Sequence, residues 1–136
     1  MDKHLKTLNL LYKMACDLPK VAQAKLACAI LHKNEIISFG FNQYKTHPFQ
    51  KKFSSNPHAI YLHAETHAIH NALKKIDIET LKKCTLYICR AKNINNKKGM
   101  TWGLSKPCMG CSKAICQFEI KNVIYSLDEE YKYSIL

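Results

Sequence analysis

At 136 residues the chain has the length of one ordinary domain, and 47% hydrophobic with 23% charged residues excludes an intrinsically disordered polymer. No apolar run approaches the ~20 residues that a membrane-crossing helix requires, so no helical membrane anchor is expected. The 21 lysines and arginines against 10 acidic residues give a net charge of +11, which favours an anionic partner: a nucleotide phosphate or a nucleic-acid backbone.

Leu5, Leu8, Leu11 and Tyr12 recur at helical spacing and predict a helix to about Met14, stopped by Pro19. The opening Met1-Asp2-Lys3-His4 does not resemble a signal peptide, so a cytoplasmic protein is expected. Ala24–Leu31 is an apolar run of strand length, His32–Glu35 reads as a hairpin turn, and Ile36–Phe41 as the return strand. Pro48, Pro57 and a Ser-Ser-Asn cluster mark residues 42–60 as a long loop, and loops of that length are usually functional. Helical periodicity returns over His63–Lys75, with Ala64, Ala68, Ala72 and Leu73 available for packing. Thr85–Cys89 is a short buried strand, residues 91–106 a polar loop, and Pro107 leads into a helix over Met109–Phe118. Asn122–Ser126 makes a fourth strand and Tyr131–Leu136 a short fifth. The order α-β-β-α-β-α-β predicts one α/β domain over 1–136: three layers, α-β-α, around a mixed sheet of four to five strands.

The seven cysteines are odd in number, which argues against a disulfide framework. Cys16, Cys28, Cys84, Cys89 and Cys116 lie among apolar residues and are expected to be buried. Only Cys108 and Cys111 have ligand spacing. The lysines come as scattered pairs (Lys51-Lys52, Lys74-Lys75, Lys82-Lys83, Lys97-Lys98), the pattern of a solvated surface more than of a binding stripe, and Arg90 is the sole arginine.

Two fragments carry chemistry: His63-Ala64-Glu65 and Pro107-Cys108-Met109-Gly110-Cys111. Cys-x-x-Cys on the first turn of a helix aims two thiolates at one point, and the helix N-terminus favours their charge. Zinc accepts Cys sulfur and His nitrogen in tetrahedral geometry, and two Cys with one His leave the fourth position open, as in catalytic sites. Glu65, two residues after His63, can reach a water in that position without being a ligand and serve as general base, then general acid. The combined His-x-Glu…Pro-Cys-x-x-Cys arrangement is the known signature of zinc nucleobase deaminases.

On these residues, with Gly40-Phe41-Asn42 at the end of the second strand, the chain resembles the cytidine/deoxycytidylate deaminase superfamily from about Ala24 to Ser126. Within it, the sequence looks most like the small phage-type nucleotide deaminases related to deoxycytidylate deaminase. The resemblance implies hydrolytic deamination of a cytosine nucleotide, dCMP to dUMP plus ammonia, with Zn2+ on His63, Cys108 and Cys111 and Glu65 moving the protons. It further implies that Asn42 bonds the sugar, that the Ala64 N–H helps to hold the base, and that the chain is a homo-oligomer. Two departures stand out: Arg90–Lys106 is longer than in many relatives, and the second metal site of some deoxycytidylate deaminases is not evident.

Other residues have alternative readings. His63, His67 and His70 share a helical face, but a three-histidine metal site would leave the cysteine pair unexplained, so His67 and His70 are expected in the core or at a subunit contact. Lys45 and His47, in the loop after Asn42, are candidates for a 5′-phosphate, with Arg90 and Lys92 behind them. Trp102 either stacks on a base or, as expected, anchors its loop. The charge of +11 keeps open a deaminase acting on a base in tRNA or single-stranded DNA, although one arginine and no aromatic series argue against it. A non-catalytic zinc or nucleotide-binding module is the third reading; it leaves Glu65 without a purpose.

Overall fold

The computed structural model describes residues 2–18, 25–43, 49, 52, 63–94 and 99–136. Asp2 caps the first helix by accepting the Leu5 N–H at 2.7 Å, and α1 runs over Lys3–Cys16 with Leu8, Leu11 and Ala15 as its buried stripe. β1 (Lys25–His32) and β2 (Glu35–Phe41) pair antiparallel across Lys33 and Asn34. Both turn residues have positive φ, 50° and 66°, as a two-residue type I′ hairpin demands. There follow α2 (Ala64–Ala72), the short α3 (Ile78–Leu81) capped by Asp77, β3 (Thr85–Asn93), β4 (Met100–Gly103), α4 (Met109–Gln117), β5 (Asn122–Ser126) and β6 (Tyr133–Ile135).

The strands form one mixed sheet in the order β2-β1-β3-β5-β6. β3 is antiparallel to β1 and parallel to β5, and its Arg90–Asn93 end pairs with β4, past the point where β5 stops at Ile88. Six strands therefore stand among the described residues where four to five were expected. The additional strand and the longer end of β3 fall in the stretch 91–106 expected as a polar loop. The pairing wins there because Met100-Thr101-Trp102 suits a strand and Trp102 buries its whole side chain.

Alternation along β3 separates two cores. Tyr87, Cys89 and Ala91 face α1 together with Trp102, Ala27, Ala29 and Ile124. Leu86 and Ile88 face the other side, with Ala64, Ala68 and Ile69 of α2 and Ala114 and Ile115 of α4. Each fully buried leucine or isoleucine stabilises by about 1.5–3 kcal/mol before conformational entropy is subtracted. The expected three layers are present. Cys28, Cys84 and Cys89 are buried as expected and Cys16 is half-buried, but Cys116 is exposed because Ala114, Ile115 and Phe118 take the inward face of its helix.

The packing of β2 on α2 matters most for the site. A Cβ on Gly40 would overlap the Ala64 carbonyl oxygen and the Ala68 nitrogen, so only glycine lets strand and helix meet here. β2 is an edge strand, and its backbone is bonded by side chains four residues apart on the helix and the turn after it. The Phe41 N–H donates to His67 Nδ1 (3.0 Å), Asn71 Nδ2 to the Phe39 carbonyl (2.9 Å) and Lys75 Nζ to the Ile37 carbonyl (3.0 Å). Four helical residues rise ~6 Å and two strand residues ~6.6 Å, so the two repeats run in step.

Candidate active site

Both motif halves open helices. His63 is the N-cap of α2 and Cys108 the N-cap of α4, each in extended conformation (φ −85°, ψ 156° and φ −70°, ψ 173°). A residue so placed holds its side chain in front of the helix end, and the two ends converge. His63 Nδ1 lies 3.5 Å from Cys108 Sγ and 3.4 Å from Cys111 Sγ. Tetrahedral zinc with usual bond lengths would set such N···S separations at about 3.6 Å. Donor set and spacing therefore fit zinc, and these three are the residues that gather in this way among the described ones.

The electrostatics agree. The Cys108 thiol is pushed down to about 4, first by the hydrogen bond from the Cys111 thiol and then by the His63 ring and the Cys111 N–H, against the opposing effect of burial. The Cys111 thiol is pushed up by its bond to Cys108 and by burial, and His63 is raised by its bond to Cys108. The arrangement thus favours the thiolate form of Cys108. Glu65 sits on the first turn of α2, 4% exposed, and burial raises its carboxyl above the ordinary value. Its Oε1 is buried with no hydrogen-bond partner among the described residues.

Over residues 1–127 the sequence matches the family described as the cytidine and deoxycytidylate deaminase zinc-binding region. The chain belongs to this family. Among solved structures it is similar to the dCMP deaminase of the cyanophage S-TIM5, in apo form and in complex with dCMP and dUMP. Identity is 21% and the TM-score 0.56 in both, over 92% of this chain and 84% or 82% of the phage chain. At that identity the likeness concerns the fold. No curated protein matches the sequence.

Of the motif residues, His63, Glu65 and Cys108 line a pocket of about 280 Å³, near the lower end of the range for small-molecule sites, with Leu26, Arg90, Leu104, Ser105 and Lys106 in the rest of its wall. Asn42 is not among the lining residues but is bonded to Leu26, which is: its Oδ1 accepts the Leu26 N–H at 2.9 Å, and its own N–H donates to the Leu26 carbonyl at 3.4 Å. Ala64, the first residue of α2, is buried between His63 and Glu65. Lys45 and His47 lie outside the described residues. His67 is bound to the β2 backbone and His70 packs on Phe49 with centroids 5.1 Å apart, so neither joins the metal cluster. Trp102 is an anchor, fully buried and stacked on Tyr12 at 5.9 Å. Arg90 enters the pocket whereas Lys92 pairs with Asp128 at 3.0 Å. Sequence reasoning missed Leu26, Leu104, Ser105 and Lys106. Lys106 and Ser105 had one available signal, their place just before the Pro-Cys step.

Proposed function

We propose that the protein is a zinc-dependent hydrolase that deaminates a cytosine nucleotide, dCMP, to dUMP and ammonia. The observation that carries this reading is Glu65: a buried carboxyl whose Oε1 has no partner among the described residues, in a pocket wall beside His63 and Cys108. A purely structural metal site would have no use for it, and an unsatisfied buried carboxylate costs stability. His63, Cys108 and Cys111 would hold the zinc, which when bound supplies the Lewis acidity that makes water nucleophilic near neutral pH. Glu65 takes a proton from the water that attacks C4 of the base and delivers it to the ring nitrogen. It then takes the remaining proton from the new C4 hydroxyl and passes it to the amine as the C4–N bond breaks, so the water oxygen ends as the carbonyl and ammonia leaves. Its raised affinity for protons suits both halves of that transfer. Ala64 N–H, one of the donors left over at a helix start, is assigned to the base and Asn42 to the sugar.

The charge of +11 favours a polymeric substrate as the second reading. The test is ammonia release from deoxycytidine, dCMP, dCTP, CMP, adenosine and a single-stranded oligonucleotide, with Glu65→Ala as control. Turnover of dCMP that vanishes in the control supports the proposal. Turnover of the oligonucleotide alone transfers the assignment to nucleic acid, and turnover that survives in the control removes Glu65 from its role.

A further inference from the structure

Leu86 and Ile88 carry one face of β3 into the core under α2 and α4, and Arg90 is the next residue on that face. It leaves the core at the pocket wall, where His63, Glu65 and Cys108 also stand. Its Nε is buried without a hydrogen-bond partner, and its guanidinium makes no ion pair among the described residues. Asp128 feels its charge but is already bonded to Lys92 Nζ (3.0 Å) and the Leu104 N–H (2.8 Å). The stem of Arg90 lies across its ladder partner Gly103, where a Cβ would stand 2.9 Å from Arg90 Cδ and 3.1 Å from Cγ. β4 is thus shaped to let this arginine lie flat. Lys106 brings a second cation to the same wall, and the Ser105 hydroxyl there is engaged with the Ile88 carbonyl at 3.0 Å.

We propose that Arg90, with Lys106 beside it, binds the 5′-phosphate of the substrate and makes the site select a nucleoside monophosphate over the nucleoside. This rests on the nucleotide-deaminase reading above. A planar guanidinium offers two parallel N–H groups to two phosphate oxygens, which an ammonium cannot match. Lys92, one step further along the same face, is spent on Asp128 and takes no part.

The test is calorimetric binding of dUMP and of deoxyuridine to the zinc-loaded full chain, in wild type, Arg90→Gln and Arg90→Lys, with melting temperatures to verify folding. Wild type is expected to bind dUMP about 30-fold tighter than deoxyuridine, the strength of a charge-assisted hydrogen-bond pair. Arg90→Gln should bring the ratio to within about 3-fold by weakening dUMP alone, with Arg90→Lys between them. An unchanged ratio, an equal loss for both ligands, or no binding of dUMP by wild type would overturn the proposal. Deamination of dCMP together with an unchanged ratio overturns the phosphate site and leaves the reaction standing. An Arg90-dependent preference for dUMP in a protein that deaminates nothing does the reverse.

Discussion

Gly40→Ala would separate the strand and the helix that set the site. The added methyl overlaps the Ala64 carbonyl oxygen and the Ala68 nitrogen and lies 2.8 Å from Ala68 Cα. All three are helix backbone atoms, so no side chain can rotate away, and β2 must part from α2 by about 1 Å to restore ordinary contacts. Overpacking costs ~1–3 kcal/mol, and the upper end applies because the separation also strains bonds that join β2 to α2, such as Ser38 Oγ to the Ala68 carbonyl (2.8 Å) and Phe41 N–H to His67 (3.0 Å). A loss of about 3 kcal/mol lowers the melting temperature of a chain this long by about 10 °C. Because α2 starts with His63 and Glu65, a 1 Å displacement should also reduce kcat/KM by ~100-fold. Calorimetry and steady-state kinetics on the same preparation measure both. Ser38→Ala is the control: it removes one bond without adding volume, at about 1 kcal/mol and with near-normal turnover. A Gly40→Ala protein that melts within about 2 °C of wild type and keeps full activity would refute the contact and the reasoning built on it.

Glu65→Gln should keep zinc, measured by elemental analysis, and lose about 10³-fold or more in turnover. Burial raises the Glu65 carboxyl above 4.5, so the stability tied to its protonated form is present below that pH and lost as pH rises through the raised value. Metal-free Glu65→Gln should therefore be more stable than metal-free wild type at pH 7.5, by about 1–3 kcal/mol in urea titrations, with the gap closing near pH 4; a gap independent of pH would contradict this. Cys108→Ala and Cys111→Ala should lose zinc whereas Cys116→Ala should not, and equal zinc in all three would break the ligand assignment. In metal-free protein Cys108 should be alkylated by iodoacetamide with a pH midpoint near the value of about 4, and zinc should block it. Buried Cys89, pushed up to about 12, should stay unmodified, and a Cys108 midpoint near 9, the ordinary thiol value, would refute the hydrogen-bonded thiolate.

What was legible in the sequence is what local chemistry specifies. Pro107 before Cys108 and the i, i+3 cysteine pair, directly ahead of a helical apolar pattern, indicate a helix start. The Lys33-Asn34 turn between two apolar runs announces a hairpin, as its positive φ angles bear out. For β4 the short Met100-Thr101-Trp102 run was too weak a signal by itself, since its pairing also needs the edge of β3 that β5 vacates after Ile88. The handover is closed by two buried serines: the Arg90 N–H donates to Ser126 Oγ (3.1 Å) and the Ser126 N–H to Ser105 Oγ (2.8 Å). Nothing within a short window of sequence joins residues so far apart. The role of His67 was hidden for the same reason, because the Phe41 N–H and the Gln43 amide at its Nδ1 lie 26 and 24 positions away.

The same distinction explains why Arg90 and Lys92 read alike in sequence and differ in the fold. They share a face of β3, yet one meets a glycine and a pocket, the other Asp128 on the segment after β5. The His63–Cys108–Cys111 cluster needs only two helix starts brought within a few ångströms, and the N-cap positions provide that for His63 and Cys108 across 45 residues. Substrate contacts depend on which residues the neighbouring strands leave room for. In this chain the β3–β4 pairing places Gly103 opposite Arg90 and leaves room for its stem. The proposed chemistry is therefore legible in two short motifs, while the proposed phosphate contact depends on a strand pairing that no motif records.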